Sequence, residues 1–234
     1  MSKMDPRQLA NEADGVIERI VPGQGLHPEG WEAEHLLRYR WAARHTGSPR
    51  RLLDLACGVG YGHAELSKAA PDAPIISCDV SHEAVSYGRN NFGITGLVAD
   101  GERLPFLDGA FDVVVSLETV EHVPSPKAFM TELRRVLRPN GKLLLSTPNA
   151  LLSGGTNPYH LHEFEPDELS AFLQAAGFRV VGRWGQHWAF SREVTGVWGL
   201  RRAAWEAEKL PFILRRPMPG VQPGCFCWLC VRTD

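Results

Sequence analysis

The stretch Leu52-Leu53-Asp54-Leu55-Ala56-Cys57-Gly58-Val59-Gly60-Tyr61-Gly62 decides the fold. An apolar run breaks into alternating glycines, and Ala64, Leu66 and Ala69 follow at helical spacing. That order predicts a strand, a tight turn and a helix. Gly58 and Gly60 let the backbone take φ > 0 and let a ligand approach where a Cβ would collide. The helix beyond points its free N–H groups and positive dipole end at that ligand. Such a turn favours an anionic or strongly polar small molecule.

Outward from the turn, strand and helix patterns alternate. Strands are expected at Arg51–Leu55, Ile75–Cys78, Gly96–Ala99, Phe111–Ser116 and Lys142–Ser146, with helical patterns at Gly62–Ala70, Ser81–Asn91 and Pro126–Leu137. Runs such as Val113-Val114-Val115 and Leu143-Leu144-Leu145 suit strands covered on both faces. Ser125-Pro126 reads as an N-cap with proline at the first helical position, and Pro139-Asn140-Gly141 as that helix's stop. Glu165-Pro166-Asp167-Glu168 opens another helix, closed by Gly177. Phe178–Trp184 and Cys225–Val231 then supply two more strands, paired antiparallel at the sheet edge. The expected fold is α/β: a doubly wound, mostly parallel seven-stranded sheet with helices on both faces and an antiparallel last strand.

Two helical patterns, at residues 5–20 and 31–45, precede the first strand, joined by Val21-Pro22-Gly23-Gln24-Gly25. Residues 1–48 are thus either a packed helix pair or a lid over a site in the domain of residues 49–234. Residues 190–220 break the rhythm, mixing Trp198, Trp205 and Phe212 with Arg201, Arg202, Lys209, Arg215 and Arg216, and read as an insertion. That insertion suits a substrate lid in which Trp184, Trp188, Trp198 and Trp205 stack on a ring, a membrane-surface helix, or the face of a homodimer.

Composition narrows the partners. The 234 residues are 44% hydrophobic and 22% charged, with a net charge of −2, which argues against a surface built to neutralise nucleic-acid phosphates. No apolar stretch approaches the ~20 residues of a membrane helix, so no stable membrane insertion is expected. The first residues, with Asp5, Glu12 and Asp14, lack a signal peptide's layout, and a cytoplasmic location is expected. Five cysteines, an odd number, read as free thiols. Cys225 and Cys227 share one face of a strand and Cys230 takes the other, which argues against zinc.

A dinucleotide fingerprint would need glycine at His63, and a Walker loop needs a Gly-Lys-Ser/Thr that is absent. The company of the turn is more telling. Asp79 ends the second strand, where an acid accepts both hydroxyls of a ribose. Asp100-Gly101-Glu102 follows the third, within reach of an adenine amine. Acidic strand ends beside a glycine turn describe an adenosine carrying cations rather than phosphates.

With Glu102-Arg-Leu-Pro-Phe and Phe111-Asp112-Val-Val-Val added, the pattern resembles the class I S-adenosylmethionine-dependent methyltransferases over roughly residues 50–185. The resemblance implies S-adenosylmethionine as cofactor and S-adenosylhomocysteine as product. It implies that Asp54 and the backbone of Ala56, Cys57, Gly58 and Gly60 face the methionine part, Asp79 the ribose, and Asp100 with Gly101 the adenine region, with Val80, Glu102 and Leu117 also among the cofactor-binding residues. The family usually carries glycine at position 56; the alanine here is expected to lie outside φ > 0. Glu18-Arg19 to Gly23 and His35-Leu-Leu-Arg38-Tyr39 are similar to the lead-in of a small-molecule tailoring subgroup, in which Arg38 would pair with the cofactor carboxylate.

Methyl transfer is an in-line displacement in which positioning does most of the work. At the fourth strand's end, Glu118, Glu121 and His122 fall at spacings a helical turn would gather. They suit helix capping, a general base at His122, or a divalent metal; Glu-x-x-Glu-His resembles the quinone-pathway O-methyltransferases, some of which use Mg²⁺, which is possible here but not favoured. After the fifth strand, His160 and His162 would share one face of an extended segment, toward a small-molecule acceptor. The expected reaction is O-methylation of a small molecule, with Glu118, His122, His160 and His162 nearest the acceptor. Rival readings are N-methylation of an amine, and a binder of the cofactor without turnover.

Overall fold

The computed structural model describes residues 20–23, 31–155, 157–190 and 221–234, with only the backbone described at 187–190 and 221. The elements, in chain order, are α1 (Trp31–His45), β1 (Leu52–Leu55), α2 (His63–Ala69), β2 (Ile75–Asp79), α3 (His82–Asn91), β3 (Thr95–Val98), β4 (Phe111–Leu117), α4 (Pro126–Val136), β5 (Leu137–Pro148), α5 (Ala150–Ser153), α6 (Pro166–Ala175), β6 (Phe178–Phe190) and β7 (Val221–Arg232). The sequence readings of residues 5–19 as a helix and of residues 191–220 as an insertion lie outside the described residues.

Seven strands form one sheet in the order β3-β2-β1-β4-β5-β7-β6. The pairs from β3 through β5 are parallel, and β7 runs antiparallel between β5 and β6. Parity explains the two cores. Leu53, Leu55, Val114, Leu143 and Leu145 point to one face, where they meet Phe129, Met130 and Leu133 of α4 and Leu169 of α6. Leu52, Val113, Val115 and Leu144 point to the other, against Tyr39, Trp41 and Leu66. The strands are apolar at both parities because both faces are covered.

The helix ends follow local chemistry. Ser125 Oγ accepts from Ala128 N at 3.3 Å ahead of Pro126, and a capping box joins Glu165 and Glu168. Pro139-Asn140-Gly141 does not stop α4, which ends at Val136; the chain passes directly into β5, where Leu137 pairs with Phe111. Trp184 does not line a lid: its ring packs 5.6 Å from Trp41 and 4.4 Å from His45, on the core.

The register puts every parallel-strand end on one rim. Leu55 pairs with Cys78 on one side and Ser116 on the other, so Ala56, Asp79 and Leu117 emerge together. The turn at this rim corrects the reading of Ala56, whose φ is +58°. Its methyl is held in the left-handed region at a cost of ~1–2 kcal/mol, against ~0.5–1 kcal/mol that glycine loses in conformational entropy. Ala56→Gly is therefore expected to stabilise the fold by up to ~1 kcal/mol in thermal denaturation. Gly62 is required by contact instead, since a Cβ there would lie 2.3 Å from the Tyr39 ring.

Candidate active site

At this rim lies a cavity of about 860 Å³, near the upper end of the ~300–1,000 Å³ typical of small-molecule sites. Arg38, Ala56, Cys57, Gly58, Asp79, Val80, Asp100, Gly101, Glu102, Leu117, Glu118, Glu121, His122 and His160 all line it. Gly60, with φ +79°, shapes the turn beneath, and Asp54 lies buried behind Tyr39. His162 is not among the lining residues.

Asp79 holds the turn and faces the cavity at once. Its Oδ2 accepts from Gly58 N at 2.8 Å and its Oδ1 from Ser81 N at 3.0 Å. Asp79 also lines the cavity, where a carboxylate is the group that accepts from ligand hydroxyls. One strand further out, Asp100 Oδ1 accepts from Glu102 N at 2.9 Å. Glu102 Oε1 accepts from Ser125 N at 2.6 Å, so that carboxylate also ties the rim to α4. Gly101 packs so closely on Phe129 that a Cβ would lie 2.6 Å from the ring.

A second group is charged and dry. Arg38 is 5% exposed; its Nη2 lies 3.8 Å from Glu118 Oε2, while Nε and Nη1 have no hydrogen-bond partner among the described residues. Buried donors of this kind cost free energy unless an acceptor meets them. Tyr39 donates to Asp54 Oδ1 at 3.2 Å, and Asp54 Oδ2 is likewise without a partner. Burial pushes the Asp54 carboxyl up to about 7, against the pull of the Tyr39 hydroxyl and with a push from Asp79. Arg38, which lines the cavity, and Asp54, buried behind Tyr39, thus each carry buried polar atoms without a hydrogen-bond partner among the described residues.

Glu118 sits at φ +50°, stapled by its N–H to Ser146. Its Oε1 accepts from Ser146 Oγ at 2.6 Å and from the Cys225 thiol at 3.2 Å. Burial alone would raise its pKa, but Arg38, His35 and these donors hold the carboxyl below the ordinary range. Glu118 therefore does not join Glu121 and His122, because residues 118–122 form turns rather than helix. Glu121 is fully buried, takes a bond from Thr147 Oγ1 at 3.0 Å, and accepts at its backbone carbonyl from Leu161 N and His162 N. Burial, reinforced by the Glu118 charge, pushes its carboxyl well up.

His122 Nδ1 lies 3.0 Å from the Tyr159 carbonyl oxygen. A carbonyl only accepts, so Nδ1 carries the hydrogen and Nε2 is the basic nitrogen. His160 stands edge-on to the His122 ring, with centroids 4.8 Å apart. Its Nδ1 bonds to Glu163, and its Nε2 lies 3.0 Å from Asn157 Nδ2, whose amide is oriented by Tyr159 N donating to Asn157 Oδ1 at 3.0 Å. Both His160 nitrogens are thus engaged. His162 instead reaches Glu168 of α6 at 2.7 Å, away from the cavity, because residues 157–160 turn rather than extend.

The metal-binding geometry also shifts. Ligand atoms of Glu121, His122 and His160 lie within 4.8 Å of one another, and Glu118 is outside that group. Glu121 Oε1, 3.9 Å from His122 Nε2, has no hydrogen-bond partner among the described residues, but a divalent cation held by all three would have to displace the bond of His160 to Glu163 or Asn157. Sequence reasoning passed over Tyr39, Trp31, His35 and Cys225 as site residues. The first three share α1 with Arg38, and Cys225 was read only as core.

A family profile described as a methyltransferase domain matches residues 53–145. A protein of Mycobacterium tuberculosis described as a probable S-adenosylmethionine-dependent methyltransferase is 33% identical over 72% of this chain and 62% of its own length. A malonyl-[acyl-carrier protein] O-methyltransferase of Geobacter sulfurreducens is 35% identical over 57% of each. The chain thus spans less than two thirds of these relatives' length. In fold, it is similar to a structure from Aquifex aeolicus titled a SAM-dependent methyltransferase, with TM-score 0.60 and 19% identity over 99% of this chain and 100% of that one.

Proposed function

We propose, because the chain belongs to the class I S-adenosylmethionine-dependent methyltransferases, that it transfers a methyl group to a hydroxyl oxygen of a small molecule. When bound, S-adenosylmethionine supplies an electrophilic methyl carbon on a sulfonium. Arg38 Nε and Nη1 would take its carboxylate, Asp54 Oδ2 its ammonium, Asp79 its ribose, and the Asp100–Glu102 rim its adenine. The unmet buried donors and acceptor are the features that fit this group, since each is costly without a ligand.

The observation that carries the choice of oxygen is the Tyr159 carbonyl on His122 Nδ1, which makes Nε2 the basic nitrogen of a ring lining the cavity and so suited to take an acceptor's proton. An amine acceptor would need little such help. The ring of His160, held by Glu163 and Asn157, fixes the wall beside that base. No helix among the described residues is long and apolar enough to cross a membrane, and our reading is a cytoplasmic enzyme with a small-molecule acceptor. The O-methyltransferase among the relatives supports oxygen as acceptor.

The test is a methyl-labelled cofactor offered with phenols, carboxylic acids and hydroxylated sugars. Label is expected in an ether, with stoichiometric S-adenosylhomocysteine; label in an ester would point instead to a carboxylate acceptor that needs no base. Tight binding of S-adenosylhomocysteine without label transfer to any acceptor would favour a binder without turnover; label in amines would favour N-methylation.

A further inference from the structure

The loop that carries Asp100, Gly101 and Glu102 contains no regular secondary structure between β3 and β4. Its position is set from α4. Leu104 N donates to Glu132 Oε2 at 2.7 Å. Arg135, one turn on, uses all five guanidinium donors. Its Nε bonds Glu132 Oε1 at 2.7 Å, and Nη2 bonds Glu132 Oε2 at 2.7 Å and the Leu104 carbonyl at 2.9 Å. Nη1 bonds the Phe106 carbonyl at 2.6 Å and Asp108 Oδ1 at 2.9 Å. The Arg135 carbonyl accepts from Gly109 N at 2.9 Å, so the loop is held along its length.

These bonds bear on the cavity because the same loop begins at its wall. Asp100 and Gly101 line the cavity, and Glu102 lines it while bonding α4 at Ser125 N. Gly101 leans on Phe129, which also lines it. A loop without its own ladder would otherwise have to be ordered by the ligand, and that ordering weakens binding.

We propose that Arg135 is a positioning residue for the cofactor: by fixing the Leu104 and Phe106 carbonyls, it holds the Asp100–Glu102 wall ready for the adenosine half. The inference rests on the cofactor reading above. Lysine replaces it only in part, since a point charge lacks the planar fork that spans two carbonyls and two carboxylates. Asp112 is the matched control: its carboxylate knits Arg50 N and Arg51 N at 2.8 Å and Arg138 Nε at 2.7 Å, at the start of β4, far along the strand from the rim.

The experiment is calorimetric titration of S-adenosylhomocysteine and of 5′-methylthioadenosine, well below each variant's melting temperature. Arg135→Gln is expected to raise both dissociation constants about tenfold and by a similar factor, and the milder Arg135→Lys about threefold. Asp112→Asn is expected to lower the melting temperature and leave both constants unchanged. Unchanged constants in Arg135→Gln, or an equal loss in Asp112→Asn, would overturn the proposal. Wild-type protein that binds neither nucleoside would overturn the cofactor reading and this inference with it.

Discussion

Asp79→Ala is expected to weaken S-adenosylhomocysteine binding by ~2–3 kcal/mol, roughly 30- to 150-fold, the range for losing charged hydrogen bonds. The loss has two sources. The ribose hydroxyls would lose their acceptor, and Gly58 N, now 2.8 Å from Asp79 Oδ2, would lose the anchor that shapes the turn. Ser81 N, 3.0 Å from Oδ1, is freed as well, at the N-cap of α3. Asp79→Asn separates the two sources: a rotated amide oxygen can still accept from Gly58 N, so a large part of the affinity should return. Calorimetry showing wild-type affinity in Asp79→Ala would remove the ribose assignment.

The larger effect belongs to His122. His122→Ala is expected to slow methyl transfer to an oxygen acceptor by ~10²–10⁴-fold, the span of general-base contributions, with cofactor affinity unchanged. The Tyr159 carbonyl, 3.0 Å from His122 Nδ1, sets the tautomer that makes Nε2 the base. His160→Ala should cost less, because both nitrogens of that ring already serve Glu163 and Asn157. Run in parallel on wild-type enzyme treated with EDTA, the assay should retain its rate; loss of rate restored by Mg²⁺ would reassign Glu121, His122 and His160 as metal ligands. A rate drop in His122→Ala no greater than in His160→Ala would sink the base.

Much of the scaffold was legible because its signals are local. Glycine spacing after an apolar run, Ser125-Pro126 and the acidic strand ends each act within a few residues, and the parallel sheet follows from strands apolar at both parities. What failed depended on distant partners. Leu137 becomes a strand residue because Phe111 lies beside it, which no property of Pro139-Asn140-Gly141 announces. His160 and His162 part ways because Asn157 bends the backbone there, defeating an argument from alternation. Glu118 leaves Glu121 for Arg38 and Ser146, both far off in sequence. Ala56 is the opposite case: its position in the motif was plain, but the positive φ belongs to the turn and not to the residue that occupies it. The Tyr159 carbonyl, which sets the tautomer, is a backbone atom and leaves no trace in residue type.

The placement of β7 between β5 and β6 has a consequence for biosynthesis. Among the described residues β6 pairs with β7 alone, so when β6 leaves the ribosome its described partner strand has not yet been made. The strands from β1 to β5, with the whole glycine turn and Asp79, precede it in the chain and are mutual neighbours in the sheet. Cys225 arrives last, on β7, and only then do Glu118 and Arg38 gain the wall that closes their side of the cavity. Vectorial synthesis would thus complete the cavity wall in two stages, and a nascent chain halted before Val221 should leave the edge of β5 without its β7 partner.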